Sequence, residues 1–470
     1  MIMEKQKFRI EKDYLGELQI PVDAYYGINT VRAYYNFQIS NYRFPRIFIK
    51  SLGIIKLASA RANNKLGLLD EVKFRAIEKA CLEVIEGKFD DQFIVDIFQT
   101  GSGTSTNMNA NEVIASRANE ILGGKRGDKK PVHPNDHVNM SQSSNDVIPT
   151  SVYVSATLLT IEKLLPSLET LIKSLETKAE EFKDIVRAGR THLQDALPIT
   201  LGQNFSAYAS MIKHSKEEIE KALERIKELP LGGTAVGTGL NAHPEFGKLA
   251  IEEIRKITNV EFKEASNRFE IMQTLNGALS LHSAIKFLAA SLMKIANDLR
   301  LLNSGPRTGL AEIDLPALQP GSSIMPGKVN PVIPEAINMV AARVFGNDLT
   351  ITIGVETNFL ELCTMMPIIG YTLLESIEIT ANACKSFAEK CIIGIKPNVE
   401  KMREYAESST MVITAIAPKI GYDNAAMIAK KALETGKSIR QLLIEEKIVS
   451  EKDVDKILDI KRMTQGGILA

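Results

Sequence analysis

The chain has 470 residues, enough for two to four domains and a large hydrophobic core. Hydrophobic residues make up 44% and charged residues 24% of it, and 57 lysines and arginines balance 57 aspartates and glutamates. Without a net positive charge the chain has no general field that attracts nucleic acid. We therefore expect no nucleic-acid partner and only local binding of anions.

Cysteine and histidine spacing predicts neither disulfides nor a metal site. The four cysteines show no CxxC spacing, which is typical of reduced thiols in a cytoplasmic protein: Cys81, Cys363, Cys384 and Cys391. The six histidines form no HExxH motif and no Cys/His cluster, so we expect no metal and no cofactor. The N-terminus lacks the apolar segment of a secretory signal, and no run approaches the ~18 uninterrupted apolar residues of a membrane span.

Helical periodicity dominates the predicted elements, and strand signals are scarce. We predict a mostly helical domain over 1–142, a central domain of about five long helices over 143–398, and a small helical domain over 399–470. Two central helices carry seams of Leu and Ile at alternating steps of three and four: Leu158, Ile161, Leu165, Leu168, Ile172 and Leu175, then Ile285, Leu288, Leu292, Ile295, Leu299 and Leu302. The other central helices are expected at about 204–228, 332–356 and 364–392.

Apolar residues spread beyond one stripe on the central helices. Ala284, Phe287, Ala290 and Met293 flank the second seam. A helix with one face exposed to solvent does not need apolar residues on that face, so we expect the bundle to pack against other subunits. A single thick monomeric bundle is the alternative interpretation.

The first two of four polar loops offer uncharged donors to an anion. Their candidate residues precede predicted helices: Ser102 and Thr104 in "QTGSGTSTNMN" (99–109), and Ser143, Ser144 and Asn145 in "HPNDHVNMSQSSNDVIPT" (133–150). Glycine frees backbone N–H groups, and the start of a helix favours a carboxylate. The alternatives are a plain turn in the first loop and simple helix capping in the second.

The third loop, "GRTHLQDALPITLGQ" (189–203), holds a candidate acid or base. Thr191 and His192 lie between a glycine and a proline that prevent regular helix on both sides. Histidine can titrate near neutral pH, although a lone histidine is usually structural. Glu335, at the start of a later predicted helix, is the carboxylate expected to orient it.

The fourth loop, "QPGSSIMPGKVNP" (319–331), adds fixed positive charge. Its candidate residues are a serine beside a glycine, a lysine and an amide: Ser322, Lys328 and Asn330. Ile324 and Met325 in the same loop are expected to seek burial. Together the four loops suit a small dianion, held by hydrogen bonds at one end and by charge at the other. They also suit proton chemistry next to a carboxylate.

These motifs resemble, in order, the signatures of the fumarase/aspartase superfamily. The matching segments are "SGTSTNMNANE", "SQSSND", "GRTHLQDA", "GGTAVGTGLN" and "GSSIMPGKVNP". The resemblance covers nearly the full chain, from "RIEKDYLGE" to "IGYDNAA". It implies an all-α, three-domain subunit in a homotetramer around a twenty-helix core, with each active site built from three subunits.

The resemblance also implies a role for each candidate residue. Ser322 would remove the C3 proton of malate, and Lys328 and Asn330 would stabilise the aci-carboxylate intermediate. His192, held by Glu335, would handle the departing or attacking water. The residues implied in substrate binding are Ser102, Thr104, Ser143, Ser144, Asn145, Thr191, Lys328 and Asn330. A second dicarboxylate site is implied at His133, Asn135 and Asp136, for which capping is the alternative.

Details within the superfamily favour a class II fumarase, which hydrates fumarate to malate reversibly in the tricarboxylic acid cycle. Ser102 and the "SSN" of Ser143–Asn145 look like fumarases, whereas aspartate ammonia-lyases tend to have Ala and "STN". "PVDAYYGINT" is similar to aspartases, so an aspartate ammonia-lyase is the alternative, and a non-catalytic structural member is a third interpretation. One departure from both groups is Cys363, which replaces the asparagine of "ELN" and bears on local helix packing.

Overall fold

The structure is a computed structural model that describes residues 7–469. Regular structure in this range is mostly helical, and each strand pairs with only one other. The all-α class is therefore confirmed. The expectation of no secretory signal rests partly on residues 1–6, which lie outside the described residues.

The α-helices are numbered in chain order. Those of the N-terminal third are α1 Ile28–Asn36, α2 Arg46–Lys65, α3 Glu71–Ile85, α4 Thr104–Ile121 and α5 Ser144–Leu159. The middle of the chain contributes α6 Leu165–Glu181, α7 Leu201–Ile226, α8 Phe246–Thr258, α9 Arg268–Thr274, α10 Asn276–Leu302, α11 Val332–Glu356 and α12 Met366–Lys390. The C-terminal helices are α13 Val399–Ser408, α14 Ala417–Ile420, α15 Tyr422–Thr435, α16 Ile439–Glu445, α17 Glu451–Ile457 and α18 Ile460–Met463.

Strands form four separate pairs in residues 7–469. The antiparallel pairs are β1 Phe8–Asp13 with β2 Gly16–Pro21, β3 Val186–Thr191 with β4 Gln194–Thr200, and β7 Ile313–Asp314 with β8 Lys396–Pro397. The parallel pair is β5 Glu228–Leu229 with β6 Lys263–Glu264. Only the hairpin of β3 and β4 carries candidate site residues, at its tip.

The chain divides into two compact units, each assembled from separate segments. The first unit contains residues 7–166, 216–289 and 342–381. The second unit contains residues 167–215, 290–341 and 382–469. The division into domains 1–142, 143–398 and 399–470 stays a prediction.

In the first unit, α2 packs against α3, α5 and α8. Helix α5 is buried along its whole length except at Asn145. Three of its hydroxyls are compatible with this burial, because Thr150, Ser151 and Ser155 each donate to the carbonyl four residues earlier. The start of α5, which holds the second polar loop, is therefore anchored in the core.

In the second unit, the C-terminal helices enclose a hydrophobic core of their own between Val412 and Ile457. Separately, β3 is fixed by a buried cluster of ions: Arg187 and Arg190 both bind the fully buried carboxylate of Glu312. A carboxylate shared by two guanidinium groups satisfies both of its oxygens, so this burial is tolerated.

The predicted long helices are confirmed, with one local correction. Helices α7, α11 and α12 match the predicted ranges, and every residue of the second seam is buried in α10. The first seam is wrong at Ile161, which is 36% exposed, while Leu164 is fully buried. The reason is a π-helical turn over Thr160–Leu164, between α5 and α6. Its wider turn shifts the helical phase, so a strict repeat of three and four fails there.

Helix α11 exposes an apolar face within the first unit. Phe345, Leu349 and Ile353 are 36%, 61% and 44% exposed. Gly346 lies on the same face, and a Cβ added there would meet nothing within 4 Å. A glycine in mid-helix destabilises the helix by roughly 0.5–1 kcal/mol relative to alanine. Nothing in this subunit prevents an alanine at position 346, so the glycine must have another reason. Close approach of a further helix would supply that reason.

Helix α10 is long and apolar enough to cross a membrane, with a mean hydropathy of 1.3 in its most apolar window. Length and composition are the only support for that interpretation. The helix carries the buried seam described above and the charged Lys294, Asp298 and Arg300 on its later turns. These features are those of a core helix.

Candidate active site

The first polar loop forms a tight turn at the start of α4. Gly103 has φ +70°, and a Cβ there would come within 2.9 Å of the Ile148 side chain. This left-handed conformation suits glycine and brings the turn against α5. Ser102 is 8% exposed, and its hydroxyl lies 2.8 Å from that of Thr104. The plain turn that was the alternative interpretation and the candidate donors therefore occupy the same residues.

The second loop caps α5, as its alternative interpretation expected. The Oγ of Ser143 accepts the N–H of Asn145 at 3.2 Å, and Asp146 accepts the N–H of Ser143 at 2.9 Å. A capping serine still has its own proton to donate, so capping and carboxylate binding are compatible. The Oγ of Ser144 accepts from Asn107 Nδ2 at 3.0 Å, which leaves the Ser144 proton for another acceptor.

Asn107 also ties the first two loops together. It lies on α4, one turn after Thr104, while Ser144 begins α5. The N-terminal ends of these helices are thus adjacent within the first unit. Two helix N-termini with several hydroxyl groups make a favourable place for a carboxylate.

Asp146 links the second loop to the segment "GGTAVGTGLN". Its Oδ2 accepts the backbone N–H groups of Gly232 at 3.0 Å and Thr234 at 2.9 Å. Thr234 has φ +54°, which is uncommon for a β-branched residue and is held here by that hydrogen bond. Nearby, Asn145 Nδ2 donates to the carbonyl of Ala235 at 2.8 Å. Burial raises the pKa of Asp146 to about 6, against the lowering effect of its backbone donors.

In the second unit, Thr191 and His192 lie at the tip of the β3–β4 hairpin, and both are exposed. His192 and Leu193 have φ +55° and +61°, the left-handed pair typical of a two-residue type I′ turn. Glu335 lies in the first turn of α11. Within residues 7–469, no hydrogen bond or ion pair joins His192 to Glu335. Their pairing stays a prediction.

The fourth loop is closed on itself by hydrogen bonds. Gly321 N–H donates to the carbonyl of Lys328 at 2.7 Å, and Asn330 Nδ2 donates to the carbonyl of Gly321 at 2.7 Å. The Oγ of Ser322 accepts two backbone N–H groups, from Ile324 at 3.2 Å and from Met325 at 3.0 Å. Two such donors stabilise a developing negative charge on the oxygen.

In a single subunit, the expected burial of the loop's two apolar side chains is wrong. Ile324 is 84% and Met325 is 48% exposed. Lys328, which follows on the same loop, is exposed as well. Two large apolar side chains therefore lie exposed beside a serine that accepts two backbone N–H groups.

The candidate second site shows capping geometry. His133 Nδ1 accepts the N–H groups of Asn135 at 3.2 Å and Asp136 at 3.3 Å, at the start of a π-helical turn over Pro134–Val138. The side chains of Asn135 and Asp136 are exposed. A role for these residues in dicarboxylate binding stays a prediction.

Comparison with known proteins identifies the family of the chain. A family model described as "Lyase" matches residues 16–346, and one described as "Fumarase C C-terminus" matches residues 412–465. The chain belongs to this lyase family. The resemblance to the fumarase/aspartase superfamily is thereby confirmed.

Named relatives match over nearly the whole length of this lyase. A class II fumarate hydratase of Brucella suis is 48% identical over 97% of this chain and 98% of its own length. An aspartate ammonia-lyase of Bacillus sp is 49% identical over 98% of both chains. Among solved structures, a class II fumarase from Schistosoma mansoni matches with a TM-score of 0.95 and 39% identity, covering 97% of this chain and 99% of that one.

Two residues next to the site escaped the sequence analysis. Asp146 stands inside the "SQSSND" motif, where it reads as a cap but also ties in a remote loop. Lys56 is fully buried on α2, and its Nζ donates to Asn139 Oδ1 at 3.0 Å and Gln142 Oε1 at 2.9 Å. The available signal was a lysine within the run "SLGIIKLASA", which is otherwise apolar or small.

Three further observations concern Cys363, metal-binding groups and a cleft in the second unit. Cys363, the departure from the superfamily pattern, is buried, and its N–H donates to the carbonyl of Met272 at 2.8 Å. In residues 7–469, no three His, Cys, Asp or Glu side chains are grouped so as to hold a metal ion. An open cleft of about 740 Å³ in the second unit is lined by none of the candidate residues.

Proposed function

We propose that this lyase is a class II fumarate hydratase, which adds water reversibly to fumarate to give (S)-malate. The observation that carries the proposal is the agreement among several relatives: class II fumarate hydratases of Brucella suis, Campylobacter jejuni and Helicobacter pylori are each 48% identical over 97% of this chain. The fumarase-like Ser102 and the Ser143–Ser144–Asn145 sequence at the starts of α4 and α5 support the same choice.

In this function, Ser322 is the base that removes the C3 proton of malate. A serine hydroxyl is normally too weak an acid for this role. The two backbone N–H groups on its Oγ stabilise the alkoxide form, and the positive charge of Lys328 on the same loop adds to the effect. The loop already places both donors on the Ser322 oxygen, so the assignment requires no change of the loop backbone.

The carbanion formed next is an aci-carboxylate with two negative charges at one end. Lys328 and Asn330 stabilise that end. Asn330 already uses one amide hydrogen on the carbonyl of Gly321, and its second hydrogen remains for the substrate. His192, oriented by Glu335, donates the proton that lets the C2 hydroxyl leave as water. In hydration each step runs in reverse.

The substrate carboxylates bind to hydroxyls and amides at the starts of α4 and α5 and at the tip of the β3–β4 hairpin. The residues assigned to this role are Ser102, Thr104, Ser143, Ser144, Asn145 and Thr191. The adjacent starts of α4 and α5 support it, since both helix dipoles favour an anion there. The reaction proposed uses no cofactor.

The active form is proposed to be a homotetramer whose sites are shared between subunits, around a core of twenty helices. The exposed apolar face of α11, with Gly346 open to a neighbour, supports close packing of another helix. The exposed Ile324 and Met325 support a loop that is covered in the assembly. The four buried free thiols support a cytoplasmic location, where reduced cysteine persists.

Aspartate ammonia-lyase is the second candidate, because relatives of that name are 49% and 47% identical over nearly the whole chain. One experiment separates the two activities. The purified protein is incubated with fumarate, with and without ammonium, and the product is identified by proton NMR. Malate in both samples supports the hydratase. Aspartate formed only with ammonium would replace it with the ammonia-lyase, and no product would favour a non-catalytic member.

A further inference from the structure

A buried lysine stands directly behind the carboxylate-binding turn. Lys56 is fully buried on α2, and its Nζ is bonded only to amide oxygens, those of Asn139 and Gln142. No carboxylate forms an ion pair with it within residues 7–469. Asp146 acts on Lys56 electrostatically, but burial of an ammonium without a carboxylate in direct contact is unfavourable, so this position requires an explanation beyond packing.

Short hydrogen-bonded links connect Lys56 to the turn. Asn139 Oδ1, which accepts from Lys56, also accepts from Asn107 Nδ2 at 3.2 Å. Asn107 Nδ2 in turn donates to the Oγ of Ser144 at 3.0 Å. Gln142 immediately precedes the turn, and its carbonyl accepts from Asn139 Nδ2 at 3.1 Å. The ammonium therefore holds both amides that shape the backbone leading into Ser143–Asn145.

All direct partners of Lys56 Nζ are acceptors. A protonated amine donates to both amide oxygens, whereas a neutral amine presents a lone pair that neither can use. The hydrogen bonds thus favour the charged form, while burial opposes it. A nearby anion would tip that balance towards the charged form.

We propose that Lys56 is a positioning residue for the turn Ser143–Asn145, and that its ammonium is the buried positive charge that favours a dianionic substrate there. The inference rests on the proposed role of this turn in binding a substrate carboxylate. It makes substrate affinity depend on whether one buried lysine is protonated.

The titratable groups around Lys56 are few. Asp146 acts on it from α5 and Cys81 acts on it from α3, and both are buried. Helix α4 and residues 139–142 present uncharged amides towards it. Burial lowers the pKa of Lys56 to about 7 and raises that of Cys81, so the thiol stays neutral. A bound dianion raises the pKa of Lys56, and binding above pH 7 must then take up a proton.

The test compares the Michaelis constant for malate between pH 6 and 9 in the wild type, Lys56→Arg and Lys56→Gln. In the wild type the constant should rise above pH 7, by up to about tenfold for each unit by which the dianion raises the pKa. Lys56→Arg cannot lose its charge in this range, so this extra rise should be absent. Lys56→Gln should show a high constant at every pH, with kcat within about threefold of the wild type.

A matched control is Lys178→Gln. Lys178 is a buried lysine of α6 in the second unit, and it donates to Glu181 and to the carbonyl of Ile395. Its variant should keep the wild-type pH profile. Equal profiles for the wild type and Lys56→Arg would overturn the inference, as would a Lys56→Gln variant that loses only kcat. A wild type without hydratase activity would instead refute the proposed function.

Calorimetry covers the case in which the Lys56 variants fail to fold. Succinate, a dianion that cannot be hydrated, is titrated into the His192→Asn variant at pH 8 in two buffers of different ionisation enthalpy. For a one-unit rise in the pKa of Lys56, binding should take up about 0.4 proton. Succinate binding without any proton uptake would overturn the inference.

Discussion

Ser322→Ala should lower the rate strongly and the stability only slightly, because the Ser322 hydroxyl is bonded to backbone on a loop that is itself exposed. Loss of a positioned base typically lowers a rate by roughly 10²–10⁴-fold, or about 3–5 kcal/mol in activation free energy. In Ser322→Ala, the N–H groups of Ile324 and Met325 lose their acceptor, but water can replace it at this surface. The free energy of unfolding should therefore fall by less than about 1 kcal/mol.

The neighbouring Ser323 is a matched control, since it is exposed and makes no hydrogen bond in the described part of the chain. Dehydration of malate is followed by the ultraviolet absorbance of fumarate, and folding by circular dichroism and size-exclusion chromatography. Ser323→Ala should keep the wild-type rate. If Ser322→Ala also turned over within tenfold of the wild type, Ser322 would not be the base.

Three further predictions concern stability and assembly. Gly103→Ala should lower the free energy of unfolding by about 1–3 kcal/mol, seen as a lower Tm, because the residue has φ +70° and its Cβ would press on Ile148. Burial lowers the pKa of Lys56 from 10.5 to about 7, so the folded state binds fewer protons than the unfolded state between these values. Relative to Lys56→Met, guanidinium unfolding should thus show the wild type gaining about 3 kcal/mol from pH 7 to pH 10, and equal pH slopes would contradict the shift. Leu349→Arg should yield smaller, inactive particles of normal helicity by light scattering, whereas Leu433→Arg, 74% exposed on α15, should not.

The long helices could be predicted because their signal is local. In α10 all six residues of the seam are buried as the repeat predicts, and α11 begins and ends at the predicted residues. Repeating apolar residues on one face need only a partner surface of some kind, so the pattern survives without knowledge of that partner. The ordered motifs likewise identified the superfamily, since they are strings of neighbouring residues.

Tertiary structure decided the exceptions. Ile161 is exposed because a π-helical turn changes the phase of the helix, which no regular repeat can show. Thr191 and His192 lie at the tip of a hairpin, and that hairpin depends on pairing between β3 and β4. Strand pairing is set by contacts with a partner segment, so scarce strand signals in the sequence did not reveal it.

By itself, then, the sequence determined the helical class, the family and the chemical types of the candidate residues. Only the folded chain shows that Lys56, about fifty residues before Asn107 and ninety before Ser144, joins both in one buried network. Its environment is made by amides from distant segments, and the energy of a buried charge depends on those neighbours rather than on the residues beside it in the chain.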